Sequence, residues 1–492
     1  MNRIHALTDL SARQAAEQMA SGELRAVDYA QALLDRAEAT VSFGALLHVE
    51  PDALLASAAA LDAAPRPLAD TPLGTPLGTP LDTRPLHGVP LAFKDNIDVA
   101  GMPTTAGSPW MADHRPRLHA GVTQRLLDAG ALVLGKTNLH EWSQGVTGHN
   151  HAFGPSRNPF DPARITGGSS GGNAALLGLR GVAAAIGTDT GGSVRVPAAH
   201  CGLVGFRPSV HRWPDEGLVP ISPTFDTAGV MARSVDDCVL VDHAVAGGPL
   251  RIAPLSLAGV RLGVPEAYFW EDVDPPVAEL ARASLQRLRE AGAVLAPCEL
   301  GEVGALFQQG AMSISLFEIL PALAAYFARH GRPFDARALT DAVASPDVRP
   351  LFERLFGATA ITPEAYDHAL HTLRPRMQAL YRDCFARHDL AALVFPTSPL
   401  TAARLGEDVE VTLCGRAVPA FSTYIRNTGP AGMAGLPALS LPMGLASNGL
   451  PAGLELTGAP GTDTALLALA LGVERALPPA PVSHTVQKLA NG

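Results

Sequence analysis

The sequence predicts an α/β protein folded as one large domain spanning residues 1–492, and three observations carry that prediction. From Leu86 to Gly248 short apolar runs alternate with helical patterns, as in a layered sheet-and-helix fold. The segments that suggest chemistry run from residue 89 to 458 and must converge if they serve one site. A chain of 492 residues with 47% hydrophobic content can also bury a large core without a disulfide staple.

Each element follows from its local pattern. In an N-terminal helical segment, 1–64, Ser11 to Ala20 reads as a helix with Ser11 and Gln14 at capping-box spacing, and Ala26 to Ala39 as a second. Residues 65–85 differ. Thr71-Pro72-Leu73-Gly74 returns as Thr75-Pro76-Leu77-Gly78 and nearly as Thr79-Pro80-Leu81-Asp82. Proline at every fourth position excludes helix and central strand, which predicts a mobile surface loop without chemistry. In the central segment, 86–248, Val89 to Phe93 is a short apolar strand ending in Lys94, Thr123 to Ala129 a helix, Ala131 to Leu134 a strand and Ala174 to Leu179 a helix. In the segment 249–390, apolar spacing near 3.6 predicts helices over 275–295, 304–332 and 363–388. The last segment, 391–492, carries strands at Leu393–Pro396 and Ala438–Pro442 and a capped helix over Asp463–Ala476.

Composition narrows the partners. The net charge is −10 and no basic run offers phosphate neutralisation, so no nucleic-acid partner is expected. Cys201, Cys238, Cys298, Cys384 and Cys414 are scattered and odd in number. They predict a reducing cytoplasm, no disulfide framework and no zinc site. The first ten residues lack an apolar run of signal-peptide length, and Ala465 to Val473 is too short for a bilayer, so no membrane partner is expected.

Three patterns mislead. Gly130 to Thr137 fits G-x-x-x-x-G-K-[ST], but its four variable residues are Ala-Leu-Val-Leu, a strand to be buried rather than a phosphate cradle. Gly167-Gly168-Ser169-Ser170-Gly171 fits the G-x-S-x-G nucleophile elbow, yet Asn158 to Thr166 reads as a turn where an elbow needs a buried strand. His140, His149 and His151 lie close together without zincin spacing, so surface or hydrogen-bonded histidines are expected, no metal and no cofactor.

What remains is a set of three segments. Gly187-Thr188-Asp189-Thr190-Gly191-Gly192-Ser193-Val194-Arg195 places a serine after two glycines, whose backbone N–H groups can approach a bound atom. A nucleophile and an oxyanion hole on one short loop are what acyl transfer requires. Thr166 to Asn173 adds Gly-Gly-Ser-Ser-Gly-Gly, and Lys94 ends a buried strand, a costly position unless the lysine is paired, for instance with Asp95 or Asp98, or neutral.

These segments resemble the amidase signature family of serine hydrolases: Lys94 in PLAFKDN, Ser169 in GGSSGG and Ser193 in GTDTGGSVRVPAAHCGLVGFRPS, at intervals typical of the family. Phe225 to Ser234 and Gly435 to Pro442 are similar to two further stretches of it. Thr166, Val194 and Val196 depart from its commoner residues without touching the proton path. The resemblance implies a central mixed β-sheet covered by helices on both faces. It implies that Ser193 attacks, Ser169 relays the proton and Lys94 is the terminal base, its pKa lowered about three units by desolvation. It further implies a cis Gly168–Ser169 bond and an oxyanion hole from the N–H groups of Thr190, Gly191, Gly192 and Ser193. Asp189 and Arg195 would hold the loop, and Ser170 would support Ser169 and Lys94.

Phe421 to Pro430 and His140 to Gly145 resemble the indoleacetamide and mandelamide hydrolase branch, which implies a primary amide with an aryl or apolar acyl group as the small-molecule substrate. Three alternatives stay open: an amidotransferase A-type glutaminase subunit, an α/β-hydrolase-like esterase, and a non-catalytic binding protein on the same fold. A homodimer is left open too. Phe307, Met312, Ile314 and Phe317 are candidate pocket residues, Trp142 could line pocket or core, and Arg426 is the one residue that could read a substrate carboxylate.

Overall fold

The structure is a computed structural model that describes residues 3–64 and 84–491. The proline repeat at 71–82 lies outside the described residues.

The strands are β1 (Leu46–Val49), β2 (Pro90–Lys94), β3 (Leu132–Thr137), β4 (Ala184–Asp189), β5 (Val204–Arg207), β6 (Thr227–Ala232), β7 (Arg261–Pro265), β8 (Val294–Cys298), β9 (Ala392–Pro396), β10 (Glu410–Leu413), β11 (Arg416–Pro419), β12 (Ala438–Leu445) and β13 (Pro451–Thr457). Among the described residues eleven of them form one sheet in the order β1-β3-β2-β4-β6-β5-β12-β13-β9-β7-β8, while β10 and β11 make a separate hairpin. The sheet is mixed. β2 runs parallel to β3 and β4, and β7 to β8 and β9, whereas the centre from β4 to β9 through β6, β5, β12 and β13 is antiparallel. Every residue of β2, β4, β6, β9 and β13 is buried, as a sheet covered by helices on both faces requires.

Local signals explain most of the elements. Ser11 caps the helix Ala12–Ser21 in a reciprocal capping box with Gln14. The helices Ala26–Ala39 and Asp463–Ala476 fall where their patterns place them. Gly130 to Thr137 is strand β3 and its approach; Lys136 is fully buried, 3.1 Å from Asp95 Oδ1, and donates to Pro103 O and Thr104 Oγ1. The P-loop pattern is thus an ordinary sheet strand.

Two differences stand out. The helix expected over 275–295 ends at Glu290, and Val294–Cys298 instead forms β8 at the sheet edge, parallel to β7. Its half-exposed face leaves little apolar contrast with the helix before it. Over 363–388, a π-helical turn at Ala369–Leu373 joins the helices Pro363–His368 and Arg374–His388. The long helix Val303–Arg329 matches expectation and buries Leu306 and Ile314 against one core cluster, Ile319, Leu323 and Phe327 against another.

Candidate active site

Three neighbouring pieces of the sheet converge on one point. Strand β2 ends with Lys94, whose side chain is fully buried. Lys94 Nζ lies 2.7 Å from Ser169 Oγ and 2.8 Å from Thr188 Oγ1, near the end of β4. Asn96 Nδ2 donates to the same threonine at 3.0 Å. Neither sequence neighbour pairs with Lys94. Asp95 meets Lys136, and Asp98 accepts from Tyr326 and faces His330. Burial therefore dominates and pushes the Lys94 ammonium down to about 7, although the more distant Asp189 and Asp226 pull the other way.

Ser169 follows a cis Gly168–Ser169 peptide bond and stands just before the helix Gly171–Gly178. No strand precedes it, so the elbow geometry is absent. The Ser170 N–H donates to Ser193 O at 3.2 Å and its hydroxyl to Thr188 O at 3.4 Å. Ser170 thus ties the Ser169 loop to the Ser193 loop and reaches Lys94 through Thr188, whose hydroxyl accepts from the lysine.

The loop from Thr190 to Arg195 is wound around Asp189. One carboxylate oxygen accepts the Gly192 N–H at 2.9 Å; the other accepts Val194 N–H at 3.1 Å and Arg195 N–H at 3.4 Å. The Gly192 N–H is therefore committed. Of the four amides expected in an oxyanion hole, Thr190, Gly191 and Ser193 keep theirs uncommitted among the described residues, and Gly192 does not. Gly192 has φ +134°, and a Cβ there would stand 2.2 Å from Thr428 Oγ1, so only glycine fits.

Asp189 is itself held by Arg195 and Arg207, and Arg195 also reaches Glu455; all four are fully buried. Burial alone would raise the Asp189 carboxyl, but the two guanidinium groups outweigh it and hold it well below the usual carboxylate range. Two cations against two anions leave this buried network neutral. Arg207 and Glu455 were not singled out in the sequence, since each sits on a strand far from the loop, on β5 and β13. Asp226 was missed as well. It accepts from Thr190 Oγ1 at 2.6 Å and from the Ile221 and Ser222 N–H groups, and burial raises it to about 6. Thr428 Oγ1 donates to Gly191 O at 2.6 Å.

Thr190, Gly191 and Ser193 open onto a cavity of about 420 Å3. Its wall is mostly apolar, from Ile221, Phe225, Phe307, Met312, Phe421 and Ile425. Phe307 and Met312 line it as expected. Ile314 instead points into the core, and Phe317 stacks on Tyr366 at 4.2 Å. Trp142 is core, packed against Trp110 and Phe352. Arg426 is not on the cavity wall; its guanidinium contacts Asn427 and the Asp272 carbonyl. Among the polar lining residues is Arg354, which no motif marked.

His140 meets Asp347 at 3.0 Å, and His149 and His151 both approach Asp408. His149 Nδ1 hydrogen-bonds to Asp408 and His140 Nδ1 lies 3.3 Å from Thr147 Oγ1, while His151 only approaches its carboxylate.

A mixed sheet with a serine loop, free amides and a buried lysine beside a second serine defines a serine-dependent amide hydrolase. The comparisons with known proteins make the class definite. The Amidase family model matches residues 28–467, and the chain belongs to that family; it is an amidohydrolase. It is 41% identical to an indoleacetamide hydrolase of Agrobacterium vitis over 80% of this chain and 84% of that one. Identity to a mandelamide hydrolase of Pseudomonas putida is 39%, covering 80% of each. The crystal structure of native peptide amidase from Stenotrophomonas maltophilia superposes with a TM-score of 0.78 at 32% identity, over 96% of this chain and 99% of that one.

Proposed function

We propose that the protein hydrolyses a primary amide with an aryl or other apolar acyl group to the acid and ammonia, through an acyl-enzyme on Ser193. The observation that carries the reading is the Lys94–Ser169 contact at 2.7 Å behind a serine loop that opens onto an apolar cavity. With the amine about half neutral at pH 7 and increasingly so above it, its lone pair can take the Ser169 proton as Ser169 takes the Ser193 proton. Ser193 Oγ then bonds to the amide carbon, and the negative oxygen faces the N–H groups of Thr190, Gly191 and Ser193. Returning the proton through Ser169 to the amide nitrogen releases ammonia and leaves the ester. Water repeats the sequence to free the acid.

Phe307, Phe421, Ile425 and Phe225 supply a surface for an aromatic ring, and Arg426 lies away from it. The indoleacetamide and mandelamide hydrolases among the relatives support the same substrate class. The five free cysteines, four of them buried, support the reducing cytoplasm as its place of action. The test compares kcat/KM for phenylacetamide and indole-3-acetamide with that for glutamine by ammonia release. The aryl amides should be the faster substrates, and preference for glutamine would overturn the assignment.

A further inference from the structure

We propose that His149, His151 and Asp408 form a binding site for one divalent transition-metal ion of the zinc, nickel or cobalt type. His149 Nδ1 stands 2.7 Å and His151 Nε2 3.5 Å from the same oxygen, Asp408 Oδ2. One donor atom from each of the three residues lies within 4.8 Å of the others. The imidazole rings stack, with centroids 4.0 Å apart and an interplanar angle of 25°.

The spacing suits a shared ion. Metal–nitrogen and metal–oxygen bonds of about 2.0–2.2 Å place two donors of a tetrahedral site roughly 3.3 Å apart. The two observed separations bracket that value, so small side-chain rotations suffice. An ion would replace the proton that now joins His149 to Asp408. Two imidazoles and one carboxylate select zinc-type ions over magnesium or calcium. The carboxylate is already aimed: Thr147 Oγ1 donates to Asp408 Oδ1 at 2.7 Å and itself accepts the His149 N–H at 3.3 Å. Such outer partners fix the orientation of metal ligands. Asp408 is 6% exposed and the histidines 19% and 30%, which leaves an open side for water as a further ligand.

The other histidine–carboxylate cluster differs. Between Asp98, His114 and His330 stands the Tyr326 hydroxyl, which donates to Asp98 Oδ1 at 2.7 Å and lies 3.0 Å from His114 Nε2. That interior is already filled.

The position gives the site a consequence. Ser143 to Val146, just ahead of His149, line the active-site cavity, and so do Pro419 and Phe421, at the end of the hairpin that follows Asp408. An ion held by both segments joins two cavity walls that are remote in sequence, without touching Lys94, Ser169 or Ser193. Because it binds only the folded arrangement, it should raise stability.

The experiment uses the full chain after EDTA treatment and gel filtration. ZnCl2 and NiCl2 are titrated calorimetrically into the wild type, His151→Gln and the double variant His149→Ala/His151→Ala, and melting temperatures are recorded with and without ion. The expected result is one equivalent bound by the wild type, affinity weakened roughly tenfold or more in each variant, and an ion-dependent rise in melting temperature that the double variant lacks. His151→Gln alters the more exposed ligand and keeps the test valid if the double variant folds poorly. Equal affinity in wild type and His151→Gln, no binding by the wild type, or loss of binding in His330→Gln instead would overturn the proposal.

Discussion

Replacing Lys94 with methionine should cut turnover steeply without costing stability, and the structure sets the size of both effects. The lysine is driven from an ordinary value of 10.5 to about 7 by burial. A shift of that size corresponds to about 5 kcal/mol between its charged and neutral forms. The unfolded chain therefore binds more protons than the folded one between pH 7 and 10.5, and stability rises with pH across that window. At pH 7 the wild type carries most of the penalty, about 4 kcal/mol, and the methionine variant carries none. Against this, the variant loses two hydrogen bonds and leaves Ser169 and Thr188 short of a partner, at about 1–2 kcal/mol each. The net expectation is equal or slightly greater stability at pH 7. Relative to the variant, the wild type should gain about 2 kcal/mol between pH 7 and 9. Turnover should fall by about a hundredfold to ten-thousandfold, and the wild-type rise in rate as pH passes about 7 should vanish. Urea unfolding at pH 7 and 9, with ammonia release across the same range, reads all three quantities. A variant that turns over within tenfold of wild type, or a wild type whose stability relative to the variant falls with pH, would refute the reasoning.

Other perturbations separate the parts of the site. Asp189→Asn should destabilise by about 3–5 kcal/mol, because Arg195 and Arg207 are left buried without their shared carboxylate; chemical denaturation measures it. Gly192→Ala should cut kcat strongly, since the new methyl group meets Thr428 Oγ1 at 2.2 Å and displaces the serine loop. Phe307→Ala should lower kcat/KM for phenylacetamide about tenfold while changing acetamide turnover little, as read from parallel ammonia-release assays.

Much of this was legible in the sequence because it is written in local chemistry. A lysine at the end of an apolar strand, serines flanked by glycines and an aspartate at the strand end just before the loop all announce themselves within a few residues. The network that holds them does not. Arg207 is on β5 and Glu455 on β13, and only the sheet order brings them to Asp189. The commitment of the Gly192 N–H to Asp189 depends on how the loop winds, which glycine leaves undetermined. Edge strand β8 was not expected, and its first two residues were given to the helix before it, because its half-exposed face carries little alternation. Of the long cavity helix, spacing identified the apolar residues but not which of them face the core, so Ile314 and Phe317 were grouped with Phe307 and Met312. Asp408 is distant from His149 and His151 in the chain, and nothing local joined them.

The most direct test of the account is the site of covalent attachment during turnover. The enzyme is mixed with phenylacetamide, quenched in acid within the first turnovers, digested and mapped by mass spectrometry. The account predicts a phenylacetyl group on the peptide containing Ser193, with none on Ser169 and none in Ser193→Ala. Acylation of Ser169, or steady turnover by Ser193→Ala, would contradict it.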